Sequence, residues 1–200
     1  NYPSRISKEK ELIRYVDTMH SSRFDNDFNS LMGGGITKNE FDLLKELTTQ
    51  ICSFCESSFQ KKMIATSSVL RMLNIYRHIK YLFGNSIPSV FEIGPGSGYL
   101  GALLMLSNIP YAGTDITQAF YLYQNHLWDH ITNNQLIELA DEDNPNLIQQ
   151  PSNKIPVHIP WWKFSALELN EIPKFNIVTV NHTLCEMNKD KTPVGFWKEK

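Results

Sequence analysis

The chain is poor in cysteine, in one-sided charge and in long apolar runs, and each shortage excludes a class of protein. Three cysteines in 200 residues are too few for the disulfide framework of a secreted domain. The 19 basic and 21 acidic residues leave a net charge of −2, which offers no attraction to nucleic acid or an anionic membrane. No apolar stretch approaches the roughly 20 residues of a membrane span. We expect a cytoplasmic protein that binds neither nucleic acid nor a membrane.

Metal-ligand patterns are also lacking. Cys52 and Cys55 form a Cys-x-x-Cys pair, but no second pair at zinc spacing accompanies them, and they fall inside a predicted helix. Such thiols are typically buried and apolar in behaviour. His126 and His130 stand four residues apart without the glutamate of a His-Glu-x-x-His motif. The sequence therefore predicts no metal site, and both histidines are expected on a helix surface.

The apolar residues that are present follow a helical period up to about residue 83. Thr37 and Glu40 have the spacing of a capping box, which predicts a helix start. A second helix is expected to end near Gly84. We interpret 1–84 as an N-terminal helical cap region. The first of these helices is predicted from apolar residues that recur every three or four positions: Phe41, Leu44, Leu47, Ile51 and Phe54.

From residue 85 the pattern changes to short apolar runs that alternate with helices. Helices are predicted at Tyr99–Ser107 and 117–132. This alternation is typical of an α/β, Rossmann-like domain with a parallel sheet, here spanning 85–200. The predicted strands are 89–93, 110–116, 155–164 and 174–182.

The stretch "SVFEIGPGSGYLG", residues 89–101, is the most informative part of the chain. A strand carrying one acid, Glu92, breaks into a glycine-rich turn and is followed at once by a helix. Ligands of parallel sheets bind beyond the carboxyl ends of the strands, where glycines permit close approach and a helix start offers amides. We expect a ligand-binding turn formed by Gly94, Pro95, Gly96, Ser97 and Gly98.

Three ligand classes use such a turn. A phosphate-binding loop needs a lysine after the glycines, and none follows. A dinucleotide fingerprint is matched by Gly96, Gly98 and Gly101, but two residues then separate the strand from the first glycine. Glu92 would also repel a pyrophosphate. S-adenosylmethionine fits better, because its ammonium group suits Glu92 and its carboxylate suits the helix-start amides.

Asp115 supplies the remaining group that this cofactor requires. It stands at the end of the second predicted strand, 21 residues after Gly94. A carboxylate there can accept hydrogen bonds from both hydroxyls of a ribose. The residues therefore favour S-adenosylmethionine, with a nicotinamide-dependent oxidoreductase as the alternative enzyme and a non-catalytic binding protein as the alternative outside enzymes.

Three segments resemble the first, second and fourth motifs of the class I S-adenosylmethionine-dependent methyltransferases: "VFEIGPGSGYLG", "GTDITQAF" and "FNIVTVNH". Within that class, "TDITQAFYLYQNHLW", "HIPWW" and "NHTLCEM" are similar to a group of sugar O-methyltransferases. The resemblance covers about residues 60–190. It implies that the glycine turn and Glu92 shape the cofactor loop, and that Asp115 holds the ribose.

The resemblance also implies further cofactor contacts. Ile116 and Thr117 would border the adenine. Asn181, at the end of the fourth strand, is a further predicted cofactor-binding residue. The usual small polar residue after the third strand is replaced here by "PWWKF", so Trp162 would stack on the adenine instead.

A sugar hydroxyl is a poor nucleophile, so methyl transfer to it would benefit from a general base. His182 follows the fourth strand directly and Glu186 comes four residues later, which makes them the predicted catalytic pair. The alternative is that His182 and Asn181 only bond the backbone at the strand end. Exocyclic-amine methyltransferases commonly carry Asp/Asn-Pro-Pro-Tyr/Phe here, and its absence weighs against a nucleic-acid substrate.

The expected protein is thus a methyltransferase that acts on a small-molecule acceptor, a sugar or a sugar-bearing compound. A complete sheet of this class has seven strands, whereas four are predicted here. We therefore expect the domain to be truncated at its C-terminal end. An incomplete sheet exposes apolar surface and an unpaired edge, which favours association into homo-oligomers.

Overall fold

A computed structural model describes residues 6–8, 10–12, 35–140, 151–153, 155–168 and 172–181. Helices and strands alternate along most of this part of the chain. The elements are α1 (Lys38–Phe59), α2 (Thr66–Phe83), β1 (Val90–Ile93), α3 (Tyr99–Leu106), β2 (Tyr111–Asp115), α4 (Gln118–Ile131), β3 (Ile137–Glu138), β4 (Val157–Pro160), α5 (Trp161–Ala166) and β5 (Ile177–Val180).

The strands form one sheet of five, in the order β3-β4-β2-β1-β5. Every pairing in this sheet is parallel. The chain moves outward from β1 through β2 and later returns to the other side of β1 as β5. The α/β class and the parallel sheet predicted from the sequence are confirmed, and the arrangement is compatible with a Rossmann-like fold. The strand order changes direction at β1, and ligands of parallel sheets bind at such a point, beyond the carboxyl ends of the strands.

Helix α1 begins where the capping-box spacing predicts. The Thr37 side chain accepts from the Glu40 amide at 3.3 Å, and the Glu40 carboxylate accepts from the Thr37 amide at 2.8 Å. Of the predicted apolar positions Phe41 is exposed and the other four are buried, which leaves one apolar face for the core. The second helix ends at Phe83 with Gly84 as its C-cap residue, as expected.

Helix α3 is the centre of the helical layer. Six of its eight residues are buried, because it lies between the sheet and helices α1, α2 and α4. A helix that is apolar all round needs such surroundings. One continuous core therefore joins residues of α1 and α2 to residues of β1, β2 and α4. The division of the chain at residue 84 stays a prediction. Within the described parts of the chain, every helix is too short or too polar to cross a bilayer.

Two details of the sheet correct the sequence prediction. The strand predicted over 155–164 ends at Pro160, and Trp161–Ala166 is helical. Pro160 has no amide hydrogen to continue the ladder, and burial of Phe164 against Phe91, at 5.3 Å between ring centroids, outweighs the strand preference of aromatic residues. The two-residue strand β3 was not predicted, since two residues are too few to show a period.

Candidate ligand site at the carboxyl edge of the sheet

The predicted glycine turn lies at the carboxyl end of β1 and leads directly into α3. Gly94, Gly96 and Gly98 all have positive φ, at 72°, 57° and 72°. Side chains with a Cβ rarely adopt this conformation, so glycine is strongly favoured at all three positions. The Gly94 amide donates to Thr114 O at 2.9 Å, and the Gly98 amide donates to Pro95 O at 3.0 Å. The turn is thus bonded to β2 and closed on itself.

The glycines differ in what surrounds them. A Cβ on Gly96 would meet nothing within 4 Å, so the backbone there borders open space. A Cβ on Gly98 would lie 2.9 Å from Nε1 of Trp128, so that position is closely packed. Gly96 therefore leaves room for a ligand to approach the backbone, and Gly98 lets α4 approach the turn.

Asp115 ends β2 beside the turn and is 5% exposed. Its Oδ2 accepts from the Gly96 amide at 3.2 Å and from Nε2 of Gln124 at 2.9 Å. Its Oδ1 accepts from the Thr117 amide at 2.8 Å, at the start of α4. The structure thus brings the predicted ribose-binding carboxylate and the glycine turn into direct contact.

Glu92 is fully buried in β1, two residues before the turn. One oxygen accepts from the Tyr111 hydroxyl at 2.8 Å, and the other accepts from Nδ2 of Asn181 at 2.9 Å. Burial raises the pKa of Glu92 to about 7, against the lowering effect of Asn181 and Tyr111, and the charge of Asp115 adds to the rise. Near neutral pH, Glu92 can therefore be either a neutral acid or an anion.

Tyr111 is a site residue that the sequence analysis missed. It begins β2 on the same face as Glu92, whose partner in the register is Gly113. The tyrosine ring passes over Gly113 and beside Gly101, where an added Cβ would lie 2.9 Å and 2.6 Å from its atoms. A glycine inside a strand marks close approach by another group, so Gly113 was the available signal.

Gln124 and Trp128 were also missed, although both lie on a predicted helix. Nε2 of Gln124 donates to Gly96 O at 2.7 Å, and Nε1 of Trp128 donates to Gly98 O at 2.9 Å. Both side chains are fully buried and stand one turn apart on α4. A glutamine placed on the apolar face of a helix is a signal for a specific polar partner.

The remaining predicted cofactor residues lie around the same edge. Ile116 is 50% exposed, and Thr117 is the N-cap residue of α4. Trp162 is 61% exposed, two residues after Pro160, which pairs with Asp115 in the register. Adenine contact by these side chains stays a prediction. The predicted catalytic residues His182 and Glu186 lie outside the described residues.

Other candidate side chains have packing roles. His158 is fully buried, bonded through Nδ1 to Asn125 and stacked on Tyr121 at 4.1 Å between centroids. Burial lowers the pKa of His158 well below its usual value. Cys55 is buried and His126 is exposed, as expected, whereas Cys52 and His130 are half-buried. In the described ranges no three His, Cys, Asp or Glu residues are grouped for metal binding.

A cleft of about 610 Å³ lies away from the glycine turn. The described residues that line it include neither the glycine turn nor Glu92 nor Asp115, so the cleft is not the predicted cofactor site. It is lined by the N-terminal segment, the end of α1 and the outer face of α4: Ile6, Ser7, Lys8, Leu12, Ser57, Ser58, Phe59, Leu122 and His126.

Comparison with other proteins does not add an assignment. No protein family, curated protein or solved structure matches this chain. The chemistry of the site is therefore the basis for a function: a glycine turn with open backbone, two buried carboxylates beside it, and a helix start facing the same edge.

Proposed function

We propose that the protein binds S-adenosylmethionine and transfers its methyl group to a hydroxyl of a sugar or sugar-bearing small molecule. The observation that carries the proposal is the pair of buried carboxylates, Glu92 and Asp115, beside the turn Gly94–Gly98. They are close enough for the charge of Asp115 to raise the pKa of Glu92. Two buried acids of this kind favour a ligand that brings positive charge and hydroxyl groups.

The charge distribution along the chain supports a cationic ligand further. The 73 residues between Lys80 and Lys154 contain no lysine or arginine, and they include the turn, β1 and β2. A pyrophosphate bound at this turn would meet two acids without a cationic side chain from the same segment. This disfavours the nicotinamide dinucleotide alternative.

The residues present fit the groups of the proposed cofactor. The open backbone at Gly96 admits an amino-acid end, whose carboxylate suits the amides at the start of α3. Asp115 is the predicted partner of the ribose hydroxyls. Glu92 is the predicted partner of the ammonium, which would have to replace the Asn181 amide as the donor to Oε1, since Glu92 is fully buried in this conformation. An ammonium beside Glu92 would lower its pKa, so we expect Glu92 to lose its proton when the ligand binds.

Bound at this edge, the cofactor would supply an electrophilic methyl group on a sulfonium. The task of the chain is then mainly positioning, which can lower a barrier by roughly 7–11 kcal/mol in favourable cases. Asp115, fixed by three donors, would hold the ribose in place. Removal of the acceptor proton is assigned to His182 with Glu186, and this role stays a prediction, as do the sugar acceptor and the cytoplasmic location.

Calorimetric titration with S-adenosylhomocysteine tests the proposal. We expect the wild-type protein to bind it, and Asp115→Asn to bind at least tenfold more weakly, because the charge that strengthens the ribose hydrogen bonds is lost. Asp129→Asn is the matched control, since it makes the same change on α4 away from the turn and should leave binding unchanged.

Titration with NADH under the same conditions tests the alternative function, a nicotinamide-dependent oxidoreductase. Absence of S-adenosylhomocysteine binding at millimolar concentration, or tighter binding of NADH, would contradict the proposal. A transfer assay with a labelled methyl group and a panel of free and nucleotide-linked sugars then tests the acceptor. Tight binding without transfer to any of them would favour the non-catalytic binding protein.

A further inference from the structure

We infer that Gln124 and Trp128 are positioning residues of the cofactor site, which hold the glycine turn by its carbonyl groups so that the amides of Ser97 and Tyr99 face the ligand. The inference rests on the proposed function for the identity of that ligand. Neither side chain is exposed, so neither touches the ligand itself in this conformation.

Gln124 joins the two parts of the site. Its Nε2 donates one hydrogen bond to Gly96 O, at 2.7 Å, and one to Oδ2 of Asp115, at 2.9 Å. Both donors of one amide nitrogen are thereby used, and the turn and the carboxylate are fixed relative to each other. A shift of either group would leave a donor of the fully buried Gln124 without its partner, which is costly.

The orientation of the Gln124 amide follows from its neighbours. Rotating the amide by half a turn would direct its oxygen at a carbonyl and a carboxylate, neither of which can donate. The nitrogen must therefore face them. Oε1 of Gln124 is buried and has no hydrogen-bond partner in the structure. Burying this unpaired acceptor destabilises the folded protein, and the two hydrogen bonds that Gln124 donates to Gly96 and Asp115 must outweigh that loss.

We call the hydrogen bonds from Gln124 and Trp128 to the carbonyls of the turn the clamp. Because a carbonyl and the following amide share one rigid peptide group, the clamp also orients the neighbouring amides. In a trans peptide the N–H of one residue points opposite to the C=O of the residue before it, and the described chain has no cis peptide. Gln124 pulls the Gly96 carbonyl toward α4, so the Ser97 amide points away from α4. The Gly98 carbonyl accepts from the Ala102 amide at 3.0 Å, as the first carbonyl of α3, and Trp128 adds a second bond to it, so the Tyr99 amide points away from both donors.

Trp128 can reach the turn only because residue 98 is glycine. A Cβ there would stand 2.9 Å from Nε1 and 3.2 Å from a ring carbon of Trp128. The indole is itself held edge-on against Tyr111, at 5.1 Å between centroids. The turn is thus held at two carbonyls by two buried donors before any ligand arrives, which reduces the entropy that binding must otherwise cost.

Substitution of Gln124 tests this role by calorimetry with S-adenosylhomocysteine. Gln124→Met removes the donor without adding charge, and we expect at least tenfold weaker binding at every pH. Gln124→Glu removes the donor only while the new carboxyl is ionised. Gln118→Glu is the control, because Gln118 is exposed on the same helix and uses only its oxygen, accepting from the Ile6 amide at 2.9 Å.

The pH profile of Gln124→Glu distinguishes hydrogen-bond donation from packing. At pH 8 its affinity should fall at least tenfold below wild type. At pH 5.5 the protonated carboxyl can donate one of the two hydrogen bonds, so the ratio to wild type should recover in part, by at least threefold over its value at pH 8. A ratio that does not change with pH, or affinity within twofold of wild type at pH 8 for both Gln124 variants, would overturn the inference.

Amide hydrogen exchange on the ligand-free protein gives a second readout, which does not depend on the cofactor. Exchange in the peptide covering 94–99 should become faster in Gln124→Met and in Trp128→Phe, and remain unchanged in Gln118→Glu. If the wild type binds no S-adenosylhomocysteine, the proposed function fails while exchange still decides whether the clamp exists. Unchanged exchange in both clamp variants would show that these residues do not hold the turn.

Discussion

At the scale of the single residue, Glu92 is the most consequential side chain. Its carboxyl is fully buried, has two donors and still has its pKa raised to about 7. An unfolded glutamate has a pKa near 4.3. Between these values the folded protein binds more protons than the unfolded chain, so this group favours folding increasingly as pH falls from 7 toward 4.3. Above pH 7 it lowers stability by its full amount.

Glu92→Gln should remove that dependence. The difference in unfolding free energy between variant and wild type should change by about 2 to 3 kcal/mol between pH 5 and pH 8, with the variant gaining relative stability at pH 8. Urea unfolding at both pH values measures it, and exposed Glu46→Gln is the control. Parallel curves for variant and wild type would show that Glu92 titrates normally.

The prediction compares Glu92→Gln with wild type because His158 changes stability with pH in the opposite direction to Glu92. Burial lowers the pKa of His158 well below 6.5, so the unfolded chain takes up its proton first as pH falls. This histidine therefore lowers stability as pH drops below about 6.5. The wild-type curve alone sums both effects, whereas the difference between Glu92→Gln and wild type isolates one of them.

At the scale of the element, the start of α1 is held by more than its own capping box. The Arg77 guanidinium from α2 donates to Glu40 at 2.6 and 3.0 Å and to Gly35 O at 2.6 Å. These bonds from Arg77, followed by those from Thr37, lower the pKa of Glu40 to about 2. The side chains of Arg77 and Glu40 are 24% and 16% exposed, so solvent screens the pair only in part.

Arg77→Met should therefore lower the free energy of unfolding by about 1 to 3 kcal/mol at pH 7. The contribution of Glu40 is present above its unfolded pKa and is lost as pH falls from about 4.3 toward 2. The difference between variant and wild type should accordingly shrink between pH 5 and pH 3 in urea titrations. Lys80→Met, on the exposed side of α2, is the control. Equal stability of Arg77→Met and wild type at pH 7 would contradict this account.

At the scale of the whole molecule, one aromatic ring sets the distance between the helical layer and the sheet. Tyr111 lies between α3 and β2, in space that exists only because Gly101 and Gly113 have no side chain. The same ring carries the hydroxyl that bonds Glu92. Packing of the layers and the protonation of the site are thus coupled through Tyr111.

Gly101→Ala should destabilise the fold by about 1 to 3 kcal/mol, because its Cβ would lie 2.6 Å from the Tyr111 ring. This is the opposite of the usual effect inside a helix, where alanine is favoured over glycine by about 1 kcal/mol. Thermal unfolding of the variant measures it. In a Tyr111→Leu background the same substitution should cost much less, and an unchanged cost there would show that the ring is not the obstacle.

The sequence by itself determined the features that depend on near neighbours in the chain. Helix periods, the capping box of Thr37 and Glu40, and the positive φ of Gly94, Gly96 and Gly98 involve contacts within about four residues, so their signals are local. The parallel sheet and the position of the turn at the end of β1 followed from the alternation of strands and helices.

Only the tertiary structure decided which side chains meet across layers. Gln124 contacts Gly96 across 28 residues, and Asn181 contacts Glu92 across 89. No local pattern encodes such pairs, because strand register and helix packing must be fixed first. The same holds for the helical Trp161–Ala166, where burial of Phe164 overrides strand preference, and for the raised pKa of Glu92, which arises from burial that no single segment provides.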